Sequence, residues 1–430
     1  MDRFLRWRWS LYISLFLGWC CYYLCRKSFP SSTPNLIAEA GLTKDDLGVI
    51  SSSFAVSYGF SKFFNALLSD HVSPRKMFSV GLVLSGIGCL LFPGSVSSIP
   101  ISAALWFAEG MIQGLGWAPC AKLLKVWYPP SQMGMWWSIL SSAGNVAAGT
   151  SPLLFTYLSS VFSWRVGFYI IGTITVTLGL VVVLTIKDSP SELGVELTFE
   201  NSESEDSNKH KHETSPMLRW YSVMLYKDLW VVSVGYAVLS AVKTSVADWS
   251  LLYFMQVAGK PQAVAAACIG TMQFGAIVGL LCTGYVSDRV MTQRTMATKC
   301  PRAPVLLAIS LLMTLCLGLF ATTVDQHSSE LWLSVLMFSL GFLTDGGVSM
   351  IGLISMEVVP TQISGSAHGL ACALAQVGGF SAGWPFAHVV EIFSWNTALH
   401  SLTVISGGLV GVAIYLLLLM LSGLTPAKTD

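Results

Sequence analysis

Charged residues are scarce in this chain. Asp, Glu, Lys and Arg make up 11% of its 430 residues, whereas a soluble domain usually carries about 25%. Hydrophobic residues reach 53% and the mean hydropathy is +0.64, which excludes a water-soluble globular protein. Since a helix crosses a bilayer with about 20 apolar residues, a chain of this length accommodates about twelve spans. The composition therefore predicts an all-α protein embedded in the lipid bilayer.

The chain also lacks an excess of either charge and the usual signatures of catalytic or metal chemistry. Lys and Arg number 24 against 23 Asp and Glu, so no nucleic-acid partner is expected. The 10 cysteines lie mostly in apolar runs without C-x-x-C spacing, and we interpret them as small core residues. No Ser-His-Asp constellation, phosphate-binding loop or metal-ligand cluster stands out. The sequence therefore disfavours an enzyme and predicts neither a cofactor nor a metal site.

Apolar runs organise the chain into two groups of six predicted helices. A segment rich in acidic residues, Ser and Asn separates the groups, and we expect a flexible cytoplasmic linker there because it offers no apolar face to bury. The predicted domains are an N-terminal six-helix half at 1–186, the linker at 187–227 and a C-terminal six-helix half at 228–430. The predicted transmembrane helices are 7–38, 46–68, 77–94, 99–125, 133–160, 164–186, 228–256, 262–286, 303–322, 329–357, 363–389 and 393–422.

The two groups resemble copies of one another. Six residues of the first group recur in the second at a constant offset of 231 positions. The pairs are Pro129 with Pro360, Gly134 with Gly365, Val146 with Val377, Phe162 with Phe393, Ser163 with Ser394 and Trp164 with Trp395, and Asn145 stands opposite Gln376. Two six-helix repeats in the same orientation are the arrangement of major-facilitator transporters, so the sequence predicts that fold.

Basic residues predict how the helices are oriented. With a cytoplasmic N-terminus, 17 of the 24 Lys and Arg residues fall on the cytoplasmic side and three on the other. By the positive-inside rule, both termini and the linker are cytoplasmic. The four remaining basic residues lie within predicted membrane helices, and they are Arg26, Lys27, Lys62 and Lys243.

Arg26 and Lys243 are the strongest candidates for a binding site. They occupy matching places in the two groups, at an offset of 217 positions. A charge at the bilayer centre costs about 2.5–3.5 kcal/mol on insertion scales, so an intramembrane cation is a functional candidate. Two cations facing one another across a central cleft suit a phosphate dianion, since Arg offers a planar fork of donors and Lys a point charge.

Each of these cations has a structural alternative. Arg26 and Lys27 could extend to the far membrane interface, because Arg26 lies 18 residues beyond Arg8. Lys243 could instead form a salt bridge within the membrane, for which Asp345, Glu109 and Asp248 are available. The sequence leaves these alternatives open.

Four further positions complete the candidate set from the residues alone. Tyr58 precedes Lys62 by four residues and so shares nearly the same helical face, where substrate contact and structural pairing are equally possible. His368 lies in the small-residue stretch Ser-Gly-Ser-Ala-His-Gly and is either a packing residue or a ligand that follows phosphate protonation. Asp70 and Asp288 end matching helices, and basic residues follow each of them.

Six stretches of the chain form recognisable motifs, at 22–29, 58–63, 113–122, 136–137, 248–250 and 365–386. With these motifs the chain resembles the organophosphate:phosphate antiporters of the major facilitator superfamily, and most closely their endoplasmic-reticulum members that carry glucose 6-phosphate. The resemblance implies exchange of glucose 6-phosphate or a related sugar phosphate for inorganic phosphate by alternating access. It also implies an endoplasmic-reticulum membrane and functional coupling to a glucose-6-phosphatase.

The resemblance also implies roles for particular residues. The predicted substrate-binding residues are Arg26, Lys27, Tyr58, Lys62, Trp117, Asn145, Lys243 and His368, and the predicted gating residues are Asp70, Arg75, Asp288 and Arg289. This chain departs from the family at Gly144, where bacterial members have a histidine, and at Glu109 and Asp345, where uncharged residues are expected. Alternative functions are exchange of glycerol 3-phosphate or another organophosphate, and sensing of sugar phosphates without transport.

Overall fold

A computed structural model describes residues 2–68, 72–193, 223–292, 300–360 and 363–422, and these residues form helices and no strand. The first set of helices is α1 (Asp2–Ala40), α2 (Lys44–Leu68), α3 (Pro74–Ser95), α4 (Ile99–Trp127), α5 (Pro130–Val161) and α6 (Trp164–Thr185), followed by a 3₁₀ turn at Pro190–Leu193. The second set is α7 (Lys227–Gln256), α8 (Gln262–Thr292), α9 (Ala303–Thr323), α10 (Glu330–Glu357), α11 (Ser364–Ser381), α12 (Trp384–Ile392) and α13 (Trp395–Ser422). The predicted fold, twelve membrane helices without β-structure, is confirmed.

Seven of the described helices are long and apolar enough to cross a membrane by length and composition, namely α3, α6, α7, α8, α9, α10 and α13. The first two helices carry more polar and charged residues, among them Arg26, Lys27 and Lys62. Polar residues in a membrane protein concentrate on helices that face an internal cavity. Their distribution here indicates that α1 and α2 face one.

Two prolines do not interrupt α1, which contains both Pro30 and Pro34. Pro34 has no N–H to donate to the carbonyl of Pro30, and the hydroxyl of Thr33 donates to that carbonyl instead at 2.9 Å. Membrane helices tolerate proline when a Ser or Thr side chain satisfies the freed carbonyl in this way. The helix therefore continues past Arg26 and Lys27 and holds both inside the molecule.

The eleventh predicted helix, 363–389, is broken in the structure between α11 and α12. The hydroxyl of Ser52 on α2 accepts a hydrogen bond from the backbone N–H of Trp384 at 2.7 Å and donates to the carbonyl of Phe380 at 3.1 Å. The indole of Trp249 on α7 donates to the carbonyl of Ala382 at 2.8 Å. Since groups from other helices satisfy the freed backbone, the break is a tertiary feature that the local sequence does not determine.

The first set and the second set meet along α1, α2 and α5 on one side and α7, α8, α11 and α12 on the other. Near the face where α1 ends and α2 begins, Asp45 contacts Nδ1 of His388 at 3.0 Å and Lys44 pairs with Glu391 at 3.7 Å. We call this the distal face, because it lies opposite the face where α1 starts. The ion pairs join the two sets there.

The predicted linker lies partly outside the described residues, which exclude 194–222. Within its described beginning, the carboxylate of Asp188 accepts hydrogen bonds from the hydroxyl of Ser73 and the backbone N–H of Arg75. Lys187 pairs with Glu192 at 3.6 Å. The contacts of Asp188 attach the start of the segment to the beginning of α3, whereas the Lys187–Glu192 pair lies within the segment.

Candidate functional site: a cationic cavity between the two helix sets

A cavity of about 250 Å³ lies between the two helix sets. Helices α1, α2, α4 and α5 line it from one side, and α7, α8, α10 and α11 line it from the other. The charged residues on its wall are Arg26, Lys27, Lys62, Lys243 and Asp248, and neutral polar side chains include Ser51, Asn145, Ser240, Thr244, Gln273 and Gln376. Such a wall combines cations for an anionic group with amides and hydroxyls for a polar one.

Arg26 lies against aromatic rings rather than against an acid. Its guanidinium carbon is 4.9 Å from the ring centroid of Phe54, 5.0 Å from that of Tyr58 and 5.7 Å from that of Tyr23. Among the described residues it has no ion-pair partner. The rings orient the guanidinium through cation–π attraction, while its N–H donors remain available to a ligand in the cavity.

Lys27, the next residue along α1, pairs with an acid from the second set. Its ammonium lies 2.5 Å from the carboxylate of Asp248 on α7. Both side chains line the cavity, so the pair bridges the two sets at the cavity wall. Asp248 was one of the acids available to Lys243, and the structure places it with Lys27 instead.

Lys243 lies on the same cavity wall as Arg26 but is ion-paired. Its ammonium is 2.7 Å from the carboxylate of Asp345 on α10. The alternative of an intramembrane salt bridge, left open by the sequence, therefore describes Lys243 in this structure. Glu109, the other acid considered, lies away from the cavity wall, where its Oε1 accepts hydrogen bonds from Ser85 and Gln113.

Tyr58, Lys62 and Asn145 complete the predicted residues on the cavity wall. The ammonium of Lys62 lies 4.8 Å from the ring centroid of Tyr58, as their spacing on one helical face suggested. Among the described residues Lys62 has no acidic partner. The cavity thus contains two cations without described ion pairs, Arg26 and Lys62, and two ion-paired lysines.

Trp117 and His368 do not line the cavity, although both were predicted to bind substrate. Trp117 packs in an aromatic cluster with Trp19 and Trp137, at centroid distances of 4.7 and 4.6 Å. The ring of His368 contacts the hydroxyl of Ser355 at 3.1 Å and the sulfur of Cys372 at 3.4 Å. Cys372 itself lines the cavity, so His368 lies one side chain behind the wall.

The structure also brings residues to the cavity wall that sequence reasoning did not select, including Tyr23, Tyr236, Gln273 and Gln376. The internal repeat contains a signal for Gln376, since it stands opposite Asn145. Gln273 is a polar residue within a long apolar helix, which is an indication of an internal wall. Each tyrosine lies three or seven residues before a cavity cation on the same helix, a spacing that places both side chains on one helical face.

Three of the predicted gating residues, Arg75, Asp288 and Arg289, lie away from the cavity. Asp70 is outside the described residues. Arg75 lies 3.9 Å from the carboxylate of Glu192. Asp288 pairs with Arg302 at 3.2 Å, and the guanidinium of Arg289 lies over the ring of Tyr285 at 5.2 Å. No group of three or more metal-ligating side chains occurs among the described residues.

The Major Facilitator Superfamily model matches residues 15–383 of this chain. The chain belongs to the major facilitator superfamily. Membership, together with the relatives below, identifies this major facilitator protein as a secondary transporter and not an enzyme.

Relatives of this transporter are similar over most of their length. The probable hexose phosphate transport protein of Chlamydia trachomatis is 31% identical over 405 residues, which cover 91% of this chain and 86% of the relative. The membrane sensor protein UhpC of Escherichia coli is 28% identical, with 99% and 95% covered. The glycerol-3-phosphate transporter of Bacillus subtilis is 28% identical, with 91% and 88% covered.

Solved structures support the transporter fold. A bacterial homolog of the human lysosomal transporter Spinster, in an inward-facing and occupied conformation, superimposes with a TM-score of 0.74 at 13% identity and covers 98% of this chain and 99% of its own. A D-xylose-proton symporter gives a TM-score of 0.69 at 15% identity, with 96% and 98% covered. Sequence identities this low support a shared fold and nothing further about function.

Proposed function

We propose that this transporter exchanges glucose 6-phosphate, or a related sugar phosphate, for inorganic phosphate by alternating access. The observation that carries the proposal is Arg26, a membrane-embedded guanidinium in a central cavity without an acidic partner among the described residues. Charges in such positions are retained for function, and a guanidinium binds phosphate with two parallel hydrogen bonds. The relatives named for hexose phosphate and glycerol-3-phosphate transport support a phosphorylated organic substrate.

The remainder of the wall suits the rest of such a substrate. Lys62 adds a second cation without a described acidic partner. The amides of Asn145, Gln273 and Gln376 provide donors and acceptors on the same wall, as hydroxyl groups of a sugar require. We infer that the phosphate group lies at Arg26 and the sugar against these amides.

Exchange follows from the charge of the cavity. Arg26 and Lys62 leave the wall positive when no anion is bound, and closing a net charge away from water is costly. A bound phosphate or sugar phosphate cancels this charge, so closure favours the loaded protein. The Lys27–Asp248 pair and the ion pairs of the distal face bridge the two sets, and we infer that they re-form or break as the cavity changes the face to which it opens.

Orientation and location are also proposals. The excess of basic residues on one side favours termini that face the cytosol. The endoplasmic-reticulum membrane, like coupling to a glucose-6-phosphatase, is supported by the sequence resemblance alone. Immunolocalisation with a terminal epitope, before and after selective permeabilisation of the plasma membrane, tests both orientation and location.

A competition series identifies the substrate. Purified protein in liposomes loaded with phosphate should exchange labelled phosphate, and glucose 6-phosphate should inhibit this exchange at lower concentration than glycerol 3-phosphate or phosphoenolpyruvate. Stronger inhibition by glycerol 3-phosphate would assign the alternative cargo. The similarity to a membrane sensor protein favours one further candidate, a sensor, which would bind glucose 6-phosphate without exchanging phosphate.

A further inference from the structure

Asp345 lies directly behind a cation of the cavity wall. Lys243 lines the cavity, whereas Asp345 does not. The side chain of Lys243 is 32% exposed and that of Asp345 only 7%, although their charged atoms are 2.7 Å apart. A ligand in the cavity therefore contacts the ammonium of Lys243, and the carboxylate of Asp345 lies behind that ammonium.

The carboxylate has little else to balance its charge. Its Oδ1 accepts the hydrogen bond from Lys243, and its Oδ2 is buried without a hydrogen-bond partner among the described residues. The next residue, Gly346, packs so tightly on Thr283 that a Cβ there would lie 2.4 Å from the threonine hydroxyl. Because α10 is held close to α8 at this point, Asp345 stays buried beside Lys243.

The pair changes the charge that the wall presents. Four cations and one acid line the cavity, which gives a net charge of three positive. Asp345 behind Lys243 reduces the charge felt in the cavity to two positive. A phosphate monoester carries about −1.5 to −2 at pH 7, so one phosphate group balances the cavity and a third negative charge exceeds it.

We propose that Asp345 is a specificity-determining residue: by cancelling the charge of Lys243, it restricts the cargo to anions whose charge is that of a single phosphate group. This inference rests on the proposed exchange of phosphate compounds and adds a charge limit to it. An excess charge in a closed cavity is costly because the surrounding protein and lipid solvate it poorly. Loss of Asp345 should therefore favour more highly charged cargo.

Two ligands that differ by one carboxylate test the proposal. Glycerol 3-phosphate and 3-phosphoglycerate share a three-carbon chain and a phosphate ester, and the second adds one negative charge. The measurement is the concentration of each that half-inhibits phosphate:phosphate exchange in liposomes. For the unaltered protein, the half-inhibiting concentration of 3-phosphoglycerate should be at least about tenfold higher than that of glycerol 3-phosphate. This ratio corresponds to a difference of about 1.4 kcal/mol in binding free energy. In Asp345→Asn the preference should fall about tenfold, since Lys243 is no longer neutralised.

Control variants separate charge from structure. Asp345→Glu keeps the negative charge and should keep the preference of the unaltered protein. Glu109→Gln removes another of the acids considered for Lys243, one that is buried away from the cavity, and should also leave the preference unchanged. Asp345→Ser removes the charge with a smaller side chain and should relax the preference as Asp345→Asn does.

Two results would overturn the proposal. Equal inhibition by both ligands in the unaltered protein contradicts a charge limit, whether or not any variant folds. An unchanged preference in folded Asp345→Asn or Asp345→Ser assigns the limit to other residues. Either result would leave phosphate exchange intact, whereas folded protein that exchanges no phosphate would contradict the proposed function itself.

Discussion

At the scale of single residues, Arg26 differs from the two ion-paired lysines of the cavity. Lys27 and Lys243 each contact a carboxylate within 2.7 Å, whereas Arg26 packs on aromatic rings. A phosphate that binds the lysines competes with acids that already neutralise them. Arg26 needs no such displacement, so we assign the largest share of phosphate binding to it.

Arg26→Gln should lower the rate of labelled phosphate exchange in liposomes at least about 30-fold, because removing one partner of a buried charged contact costs about 2 kcal/mol or more. The exchange rate of Arg26→Lys should lie between those of Arg26→Gln and the unaltered protein, since lysine keeps the charge and lacks the planar fork of donors. Arg165→Gln is the matched control, because Arg165 is 45% exposed, pairs with Glu39 and lies outside the cavity. Exchange at the control rate in folded Arg26→Gln would disprove the assignment.

The sequence could identify the cavity cations because charge is so rare in apolar helices. Arg26, Lys27, Lys62 and Lys243 were selected on that ground, and all four line the cavity. The sequence could not identify the partner of Lys243, because three intramembrane acids were equally available to it. Only the packing of α10 against α7 and α8 brings Asp345 to Lys243. Trp117 shows the opposite case, since an aromatic motif does not reveal whether a ring faces a cavity or other rings.

At the scale of helices, hydrogen bonds at the break between α11 and α12 connect the second set to α2. Gly383 lies at this break, and a Cβ there would come within 2.2 Å of the Ser52 hydroxyl and 2.8 Å of its backbone nitrogen. The close approach of Ser52 explains why a glycine is needed at this position. The sequence predicted a single continuous helix because Ser52 and Trp249, whose side chains bond to the freed backbone, are distant from it in sequence.

Gly383→Ala should destabilise the purified protein by about 1–3 kcal/mol, as overpacking of a close contact usually does, and should lower its melting temperature in detergent. The double variant with Gly383→Ala and Ser52→Ala should lose less stability than the sum of the losses in the two single variants, because removing the hydroxyl relieves the clash with it. Gly407→Ala is the control, since a Cβ at that helical position meets no atom within 4 Å apart from the neighbouring backbone of its own helix, and it should be neutral or slightly stabilising. Additive losses in the double variant would argue against the contact.

At the scale of the whole molecule, the cavity lies where two helix sets meet, and each set contributes a cation to it. Arg26 comes from the first set and Lys243 from the second, in the places that the internal repeat relates. The repeat made this arrangement predictable, while the ion pairs that join the sets at the distal face depended on contacts between α2 and α12. A substrate that bridges the sets can couple its own binding to their relative movement.

The central claim is that an anion must occupy this cavity before the protein can change the face to which it opens. The direct measurement is uptake of labelled glucose 6-phosphate by liposomes containing the purified protein, loaded with phosphate or free of it. Our account predicts rapid uptake into phosphate-loaded liposomes and uptake near that of protein-free liposomes when phosphate is absent. Equal uptake into both would contradict the claim.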